Sequence, residues 1–442
     1  MINKKEKTKN MLQTPKGMHD ILADEYVFYQ SVFEKAEKVA SYYGFQPIQT
    51  PILEKTELFT VGVGAATDIV EKQMYSFRTK GGDHLSLIPE MTAPIMRAYL
   101  EHGMHTLPQP VMLWRKGSCF RHENPQKGRT REFQQFDLEI IGEPKPIAEV
   151  IVIRVLKSIF EELDFPPLIV HINSIGDKEC RPAYRKELVS YYRRKINNLC
   201  PDCKRRLKEN PLRLLDCKEE KCIELKDGAP QMANHLCSSC KQHFREVLEA
   251  LDSADIFYAL DNHLVRGLDY YTRTVFEIFS AQGGSASGGE KEVSTTSNAL
   301  AGGGRYDYLA KTLSKKDFPA MGAAIGVDRI VQLMHDKKIL PKQKKQPKVF
   351  LIQLGNAAKY KSLEIIEMFR KAHLPLNQSI SKDSLRGQLN LASKLDMAYA
   401  LILGQQEVLK NSIILRDMKL GNQETINFRD LVEVIKKKIA YD

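Results

Sequence analysis

Residues 111–142 read VMLWRKGSCFRHENPQKGRTREFQQFDLEIIG, a pattern that predicts two β-strands joined by a basic loop. The loop contains basic residues together with the turn formers Pro125 and Gly128. In the second strand, alternate residues point to opposite faces. One face holds Phe133, Gln135, Asp137 and Glu139, and the other holds Gln134, Phe136, Leu138 and Ile140. The second set is typical of a core, whereas the first is either a polar pocket floor or a solvated face with salt bridges.

The composition of the 442-residue chain is that of a soluble globular protein with two or three domains. Hydrophobic residues make up 43% and charged residues 27%, which are ordinary values. The formal net charge of +11 suits a polyanionic partner such as nucleic acid. No apolar run reaches the roughly 18 residues of a membrane span, and the lysine-rich N-terminus lacks the apolar core of a secretory signal. We therefore expect a cytoplasmic protein.

Changes of pattern along the chain predict its organisation. Residues 174–260 are mostly helical in pattern and rich in Lys, Arg and Cys, as expected of an insertion. Residues 281–298, AQGGSASGGEKEVSTTSN, have low complexity and predict a mobile loop between two strands. The segment PKQKKQPK at 341–348 predicts a linker. Strand and helix patterns then alternate to the C-terminus, which predicts a compact α/β domain.

Two local predictions concern the region before the hairpin. The segment GVGAATDIVEKQMYSF, residues 62–77, predicts a glycine turn followed by a strand that ends at Phe77. Further on, Thr92 is predicted to be the N-cap of a helix over residues 93–102, with Pro94 in its first turn.

Two later segments suggest close contact with a ligand. Three glycines at 302–304 precede Arg305 and Tyr306, which indicates either the close approach of a backbone or ligand or a flexible turn. Arg329 falls in the first turn of a helix, where free amides and the helix dipole favour a phosphate. Neither a Walker A motif nor a GxGxxG after a strand is present, so a P-loop or Rossmann nucleotide site is not supported.

The eight cysteines suit a reducing compartment, and their spacing raises the question of zinc. Two Cys-x₂-Cys pairs enclose two more cysteines: Cys200 and Cys203, then Cys217 and Cys222, then Cys237 and Cys240. Two such pairs are typical of a structural zinc site, but six cysteines exceed the usual four ligands. The sequence therefore leaves open whether these cysteines bind zinc, and no active-site metal is assigned to them. Cys119 and Cys180 are predicted to be ordinary buried thiols.

Six segments resemble class II aminoacyl-tRNA synthetases, and within that class the histidyl-tRNA synthetase family. They are ELFTVGVGAATDIVEKQMYSF (57–77), IPEMTAP (88–94), FRHENPQKGRTREFQQFDLEIIG (120–142), LVRGLDYYTRTVFE (264–277), AGGGRYD (301–307) and AAIGVDRI (323–330). The segments at 120–142 and 323–330 resemble the second and third signature motifs of the class. The segments at 264–277 and 301–307 resemble segments peculiar to histidine enzymes. The resemblance extends from about Thr14 to the C-terminus.

This resemblance implies a fold and a set of domains. Residues 1–340 would form an α+β catalytic domain with a mainly antiparallel sheet flanked by helices. Residues 174–260 would be a helical insertion within it, and residues 347–442 an α/β anticodon-binding domain. The class also implies a homodimer, with the segment around Pro51 at the interface.

The resemblance also implies an activity, which is the ligation of L-histidine to its tRNA. Histidine and ATP, with Mg²⁺, would form histidyl-adenylate and release pyrophosphate, and the histidyl group would then pass to the tRNA. The basic loop at 127–131 and the insertion would meet the acceptor arm, and the C-terminal domain the anticodon. Two alternatives stay open: a non-catalytic, histidine-binding regulatory paralogue, and a class II synthetase for another amino acid. The family does not need zinc for catalysis.

The implied ATP site consists of Arg121, Glu123, Phe133 and Arg329. Arg121 would hold the α-phosphate and the substrate carboxylate, and Arg329 the γ-phosphate. Phe133 would stack under the adenine, whose exocyclic amine Glu123 would contact. Arg266 would lie on the side opposite Arg121, in the role that a second metal ion has in related enzymes, so these two arginines are the expected catalytic residues.

The implied histidine site consists of Glu90, Thr92, Arg121, Gln135, Glu139, Arg266, Tyr270 and Tyr271. Glu90 would bind the ammonium group, with Thr92 and Gln135 nearby. The imidazole needs two hydrogen-bonding partners, which Glu139 and the hydroxyl of Tyr271 would supply.

Overall fold

The computed structural model describes residues 12–65, 67–125, 128–280, 299–341 and 347–440. The chain divides into two compact units, Met1–Pro341 and Lys342–Asp442. The predicted mobile loop at 281–298 and most of the predicted linker lie outside the described residues, as does Lys127 of the basic loop.

The strands of the described chain have the following bounds. They are β1 (Gln46–Pro47), β2 (Leu53–Lys55), β3 (Ser76–Arg78), β4 (His84–Leu87), β5 (Val111–Phe120), β6 (Glu132–Ile141), β7 (Leu168–Ser174), β8 (Tyr258–Leu260), β9 (Thr272–Ser280), β10 (Ala301–Arg305), β11 (Ala320–Gly326), β12 (Val349–Gln353), β13 (Leu376–Gln378), β14 (Tyr399–Leu403), β15 (Ser412–Asp417) and β16 (Gln423–Asn427).

The α-helices are interspersed with these strands. They are α1 (Ala23–Tyr42), α2 (Thr56–Phe59), α3 (Thr92–Glu101), α4 (Ile147–Glu162), α5 (Arg181–Arg193), α6 (Pro201–Glu209), α7 (Glu220–Ile223), α8 (Ser238–Ser253), α9 (Leu309–Ser314), α10 (Val327–Asp336), α11 (Asn356–Lys371), α12 (Leu385–Lys394), α13 (Gln405–Leu409) and α14 (Leu431–Ala440).

An eight-stranded sheet forms the centre of the first unit, in the order β1-β5-β6-β11-β10-β9-β7-β8. Its inner pairs are antiparallel, and only the outer pairs β1–β5 and β7–β8 are parallel. The predicted α+β class with a mainly antiparallel sheet is therefore confirmed. The predicted hairpin supplies β5 and β6, which pair over their whole length.

Strand β6 is covered on both faces, and its side chains alternate as predicted. Phe136, Leu138 and Ile140 pack in a core with apolar residues of α1, α4 and α10. On the opposite face of the sheet, a second core joins α3, α9 and the segment between β7 and β8. Because both faces are buried, the polar residues of β6 lie inside the protein rather than on a solvated surface.

The segment that precedes β3 differs from its prediction. In place of a turn and a strand, the chain forms helical turns at Thr60–Gly64 and Ile69–Gln73, and only Ser76–Arg78 is a strand. Val63 and Ile69 are buried, so these turns are held by packing against the rest of the unit. Tertiary packing here overrides the β-propensity of the segment.

The segment between β7 and β8 is helical, as its pattern predicts, and contains α5 to α8. The second unit has a mixed sheet in the order β13-β12-β14-β15-β16, with parallel pairs around β12 and antiparallel pairs from β14 onward. Strand β16 was not predicted because its polar, mostly exposed residues give no alternation. Within the described residues, no helix is long and apolar enough to cross a membrane.

Candidate active site

A cavity of about 490 Å³ opens beside β6, between the sheet and the helical segment that follows β7. Its described lining includes six arginines, namely Arg121, Arg129, Arg206, Arg213, Arg266 and Arg329. Six of the predicted site residues line it, namely Arg121, Glu123, Phe133, Gln135, Arg266 and Arg329. The other five, Glu90, Thr92, Glu139, Tyr270 and Tyr271, are buried and joined to one another by hydrogen bonds or ring contacts. The described lining also contains seven acidic residues, so the arginines suit a polyanion through individual contacts rather than through a net positive charge.

Gln135 lies on the floor of this cavity with an unused acceptor. Its neighbours across the two adjacent strands are Gly117 and Gly326, so no side chain covers it from either side. The residue is 9% exposed, and its Oε1 has no hydrogen-bond partner among the described residues. A buried polar atom without a partner is costly, which is expected where a ligand completes the hydrogen bonding.

Glu139 is fully buried and held by two hydroxyl groups. The Thr92 hydroxyl donates to its Oε1 at 2.7 Å, and the Tyr306 hydroxyl donates to its Oε2. Burial raises the pKa of Glu139 well above its usual range. The facing residue is Gly322, and a Cβ there would collide with the Glu139 carboxylate. Only glycine therefore leaves room for this side chain.

Glu90, which is predicted to bind the ammonium group, also has a structural role at the start of α3. Its two carboxylate oxygens accept the backbone N–H groups of Thr92 and Ala93, at 2.9 and 3.0 Å, and the Tyr270 hydroxyl donates at 3.2 Å. Thr92 is thus the first residue of α3 rather than its N-cap, and that prediction is wrong. The carboxylate of Glu90 caps the helix instead, which leaves the Thr92 hydroxyl to bond Glu139.

Arg121 and Phe133 face each other where β5 and β6 meet the loop. The guanidinium of Arg121 lies 5.1 Å from the centroid of the Phe133 ring. Its Nε donates to the carbonyl oxygen of Pro89 at 2.9 Å. Among the described residues, the cation is held by one hydrogen bond and a ring face, which leaves other N–H groups for an anionic group.

Arg266 lies in the segment between β8 and β9 and also lines the cavity. It forms an ion pair with Glu277 of β9 and lies 5.7 Å from the centroid of the Tyr271 ring. A Cβ at Gly302 would collide with its guanidinium. At Gly303 a Cβ would collide with the backbone carbonyl oxygen of Gly322, so the predicted close approach of a backbone at the three glycines is confirmed. The alternative of a flexible turn is wrong because these residues belong to β10.

Arg329 occupies the first turn of α10, as predicted. It donates to the carbonyl oxygens of Gly128 at 3.3 Å and Ala299 at 2.7 Å. Burial, and then the nearby cation Arg129, lower the pKa of Arg329. Two guanidinium groups at close quarters repel each other, and a bound anion would relieve that repulsion. Glu123 forms an ion pair with Arg129 at 3.2 Å.

The sequence did not identify two further arginines of the cavity. Arg206 of α6 and Arg213 of the following turn contact the same carboxylate oxygen of Asp68, at 2.8 and 2.9 Å. They come from a segment rich in basic residues, where nothing in the pattern distinguishes these two. Only the folding of that segment onto the sheet brings them to the cavity.

Comparisons with known proteins show which family the sequence and the fold of this chain resemble. A family model described as histidyl-tRNA synthetase matches residues 17–330, and one described as anticodon binding domain matches residues 348–438. The chain is 41% identical to a histidine–tRNA ligase of Dehalococcoides mccartyi, over 97% of this chain and all of that protein. It is 40% identical to one of Caldicellulosiruptor saccharolyticus over the same shares. The apo histidyl-tRNA synthetase of S. aureus superposes with a TM-score of 0.76 at 28% identity, covering 96% of this chain and 99% of that one.

Proposed function

The chain belongs to the histidyl-tRNA synthetase family and is a histidine–tRNA ligase, and we propose that the cavity beside β6 is where it activates histidine. The histidine carboxylate attacks the α-phosphorus of ATP, and pyrophosphate leaves with the electrons of the broken bond. A ribose hydroxyl of the tRNA then takes the histidyl group and AMP leaves. The observation that supports this site best is the meeting of six arginines in one cavity with a buried amide oxygen that has no partner among the described residues.

ATP would lie across the arginine-rich part of the cavity. Phe133 offers a ring face for the adenine, and the carboxylate of Glu123 can accept a hydrogen bond from its exocyclic amine. Arg121, beside that ring, would bind the α-phosphate. Arg329 would bind the γ-phosphate, because its position near Arg129 favours the most highly charged end of the nucleotide.

Mg²⁺ accompanies ATP in this proposal, and the cavity contains carboxylates that suit it. Mg²⁺ is commonly bound by one or two carboxylates together with substrate phosphates and water. Glu277 lines the cavity and would be the protein ligand. The ion would supply charge neutralisation on the phosphates. The carboxylate of Glu277 is positioned by its ion pair with Arg266.

Histidine would bind next to the α-phosphate, above the buried polar groups. Glu90 offers a carboxylate for the ammonium group, with Thr92 beside it, and the free Oε1 of Gln135 accepts another N–H. The imidazole would meet Glu139 and the Tyr271 hydroxyl. A polar pocket whose groups need a ligand to complete their hydrogen bonds rejects amino acids that lack a matching ring.

Catalysis would rest on charge placement rather than on proton transfer. Negative charge grows on the α-phosphate oxygens in the transition state, and fixed cations stabilise it best where they need no reorganisation. Arg121 and Arg266 are both restrained before the substrates arrive, the first by a carbonyl and a ring, the second by Glu277 and Tyr271. We assign them to opposite sides of the reacting carboxylate.

The experiment that tests the proposed site is ATP–pyrophosphate exchange with a panel of amino acids, followed by tRNA charging. Exchange is expected with histidine alone. Histidine binding without exchange would favour the regulatory paralogue, and faster exchange with another amino acid would favour a synthetase of different specificity. Either result would overturn the proposal.

A first prediction concerns Gln135. The Gln135→Ala variant is expected to raise the KM for histidine about tenfold, as loss of one hydrogen bond to a charged group would. The melting temperature should hardly change, because Oε1 has no partner to lose within the part of the chain that the structure describes. Gln134→Ala is the matched control, since that side chain lies on the opposite face and bonds Ser118 at 2.7 Å. A change in KM below about twofold for Gln135→Ala would contradict the role.

We further assign residues 1–340 to the catalytic domain, residues 174–260 to a helical insertion within it, and residues 347–442 to anticodon binding. The insertion and the loop around Arg129 would meet the tRNA acceptor arm, since both present cations at the cavity.

Binding of the tRNA should weaken steeply as salt concentration rises, because each phosphate contact displaces a counterion. An affinity that does not depend on salt would contradict these contacts.

We also infer a homodimer. The small sheet of β2, β4 and β3 presents Leu53 and Phe77, 38% and 43% exposed, and Ile52 beside Pro51 is 49% exposed. Exposed apolar residues in one region are typical of an interface with another chain. Sedimentation equilibrium at micromolar concentration should find dimers, and a purely monomeric protein under those conditions would refute this arrangement.

A further inference from the structure

The cysteines that follow β7 gather in two separate groups of metal-ligating side chains. The first group consists of Cys200, Cys203, Cys217 and Cys222, and the second of Asp177, Cys180, Cys237 and Cys240. Within each group, one ligand atom per residue lies within 4.8 Å of all the others. The two Cys-x₂-Cys pairs thus belong to different groups. This explains why the sequence has six closely spaced cysteines although one zinc ion usually takes four ligands. Cys180, predicted to be an ordinary thiol, belongs to the second group.

The first group has the geometry of a tetrahedral thiolate site. With Zn–S bonds of about 2.3 Å, the sulfurs of a tetrahedron lie about 3.8 Å apart. The Sγ atoms of Cys200 and Cys217 are 3.8 Å apart. The backbone N–H of Cys203 donates to the Cys200 sulfur at 3.3 Å, and that of Cys200 to the Cys222 sulfur at 3.4 Å. N–H donors directed at sulfur stabilise the thiolate form that a metal requires.

The second group is built in the same way from different elements. The backbone N–H of Cys237 donates to the Cys180 sulfur at 3.1 Å, and that of Cys240 to the Cys237 sulfur at 3.5 Å. Asp177 is held in place by the N–H of Glu179, which donates to its Oδ1 at 2.9 Å. Three thiolates and one carboxylate are an acceptable ligand set for zinc.

Ordinary packing explains these groups less well. Buried thiols can behave as small apolar side chains, as Cys119 does in β5. Apolar packing, however, does not require four ligand atoms to converge on one point, nor N–H groups to point at the sulfurs. All eight cysteines lie within the described residues and are free thiols, so disulfides do not account for the convergence.

We propose that the helical segment after β7 binds two structural Zn²⁺ ions, one at Cys200, Cys203, Cys217 and Cys222 and the other at Asp177, Cys180, Cys237 and Cys240. The second ion links the start of α5 to the start of α8, and so closes the segment at its two ends. The first ion fixes α6 and the turn after it, which contain Arg206 and Arg213. Since Cys200 and Cys217 themselves line the cavity, this ion holds one wall of the active site in shape.

Metal analysis of the full-length protein, purified with reductant and without chelator, tests both sites. The wild type should contain about two equivalents of zinc per chain. Cys217→Ser and Cys180→Ser should each lose about one. Cys119→Ser, which removes a buried thiol outside both groups, should retain both. Wild-type zinc below about 0.2 equivalents overturns the proposal, and one equivalent lost only in Cys217→Ser supports the first site and overturns the second.

Measurements on the wild type keep the proposal testable if a variant fails to fold. A strong chelator should lower the melting temperature by about 5 °C or more, and added Zn²⁺ should restore it. A thiol reagent should react with the grouped cysteines in the native protein only after chelation. Replacement by Co²⁺ should give the intense visible absorption of tetrahedral cobalt thiolates. Native thiols that react equally with and without chelator overturn the proposal.

Discussion

Replacing Arg266 with alanine is expected to lower the rate of histidyl-adenylate formation by at least about 100-fold, as the loss of one fixed transition-state cation would. Arg266 is restrained by Glu277 and by the face of Tyr271, and Gly302 leaves the space that its guanidinium needs. The cation therefore stands in place before charge develops on the phosphate. Water that fills the space of the missing guanidinium cannot replace this stabilisation, because water must reorient during the reaction.

Single-turnover adenylation at saturating ATP and histidine measures this effect, and steady-state exchange separates kcat from KM. The loss should fall mainly on the rate, because the interaction strengthens in the transition state. Arg266→Lys retains the charge but loses the planar fork, so it should recover only part of the rate. Arg245→Ala is the control, since that exposed arginine pairs with Glu249 and is not among the described residues that line the cavity. A change of less than about threefold in Arg266→Ala would mean that the arginine is misassigned.

Replacing Glu149 with alanine is expected to destabilise the first unit by about 3 kcal/mol, near the lower end of the usual cost of breaking a buried ion pair, because Arg305 retains its ion pair with Asp307 at 3.2 Å. Glu149 of α4 is fully buried and receives two hydrogen bonds from Arg305, at 2.8 and 2.6 Å. The Nε2 of His243 lies 2.6 Å from the same carboxylate. Arg305 is itself 0% exposed, so its guanidinium cannot be rehydrated in the variant without opening the core.

The pH dependence of this pair follows from the pKa of Glu149. Burial alone would raise that pKa, but Arg305 and then His243 outweigh burial and hold it below its usual range. A carboxyl with a lowered folded-state pKa contributes stability above its unfolded-state pKa, and that contribution is lost as pH falls through the folded-state value. The difference between wild type and Glu149→Ala should therefore be largest near neutral pH and shrink in acid.

Urea unfolding followed by tryptophan fluorescence measures the effect in the catalytic unit alone. The chain has a single tryptophan, Trp114, which lies in β5 and stacks on Phe136.

Glu149→Gln should cost less than Glu149→Ala, because the amide still accepts hydrogen bonds from Arg305. The double variant Glu149→Ala/Arg305→Ala should cost less than the sum of the single variants. Glu249→Ala, at an exposed ion pair, should change stability by less than about 0.5 kcal/mol. A cost below about 1 kcal/mol for Glu149→Ala would refute the buried pair as a determinant of stability.

Arg305 also illustrates how a motif residue can have a purely internal role. Its position after three glycines and before Tyr306 suggested contact with a ligand. In the fold, Arg305 anchors the end of β10 to α4, whereas Tyr306 donates to Glu139. The sequence pattern identified the segment as unusual, but could not tell which of two adjacent side chains faces the site.

Several features were predictable from the sequence because they depend on local periodicity. The alternation in β6 predicted which side chains enter the core and which form the polar face. The hairpin and the C-terminal alternation of strands and helices were predictable for the same reason. The resemblance to a family added the mainly antiparallel sheet and the activity, which no periodicity could supply.

The tertiary structure alone decided which distant residues meet. The cap of α3 is Glu90 rather than Thr92, since Glu139, 47 residues further on, takes the Thr92 hydroxyl. Arg206 and Arg213 reach the cavity, and seven cysteines divide between two ligand groups, only because helices far apart in the chain pack together. Local pattern fixes the face of a strand or helix on which a side chain lies, because that face depends on backbone geometry. The identity of its partners depends on long-range packing, which single-sequence periodicity does not encode.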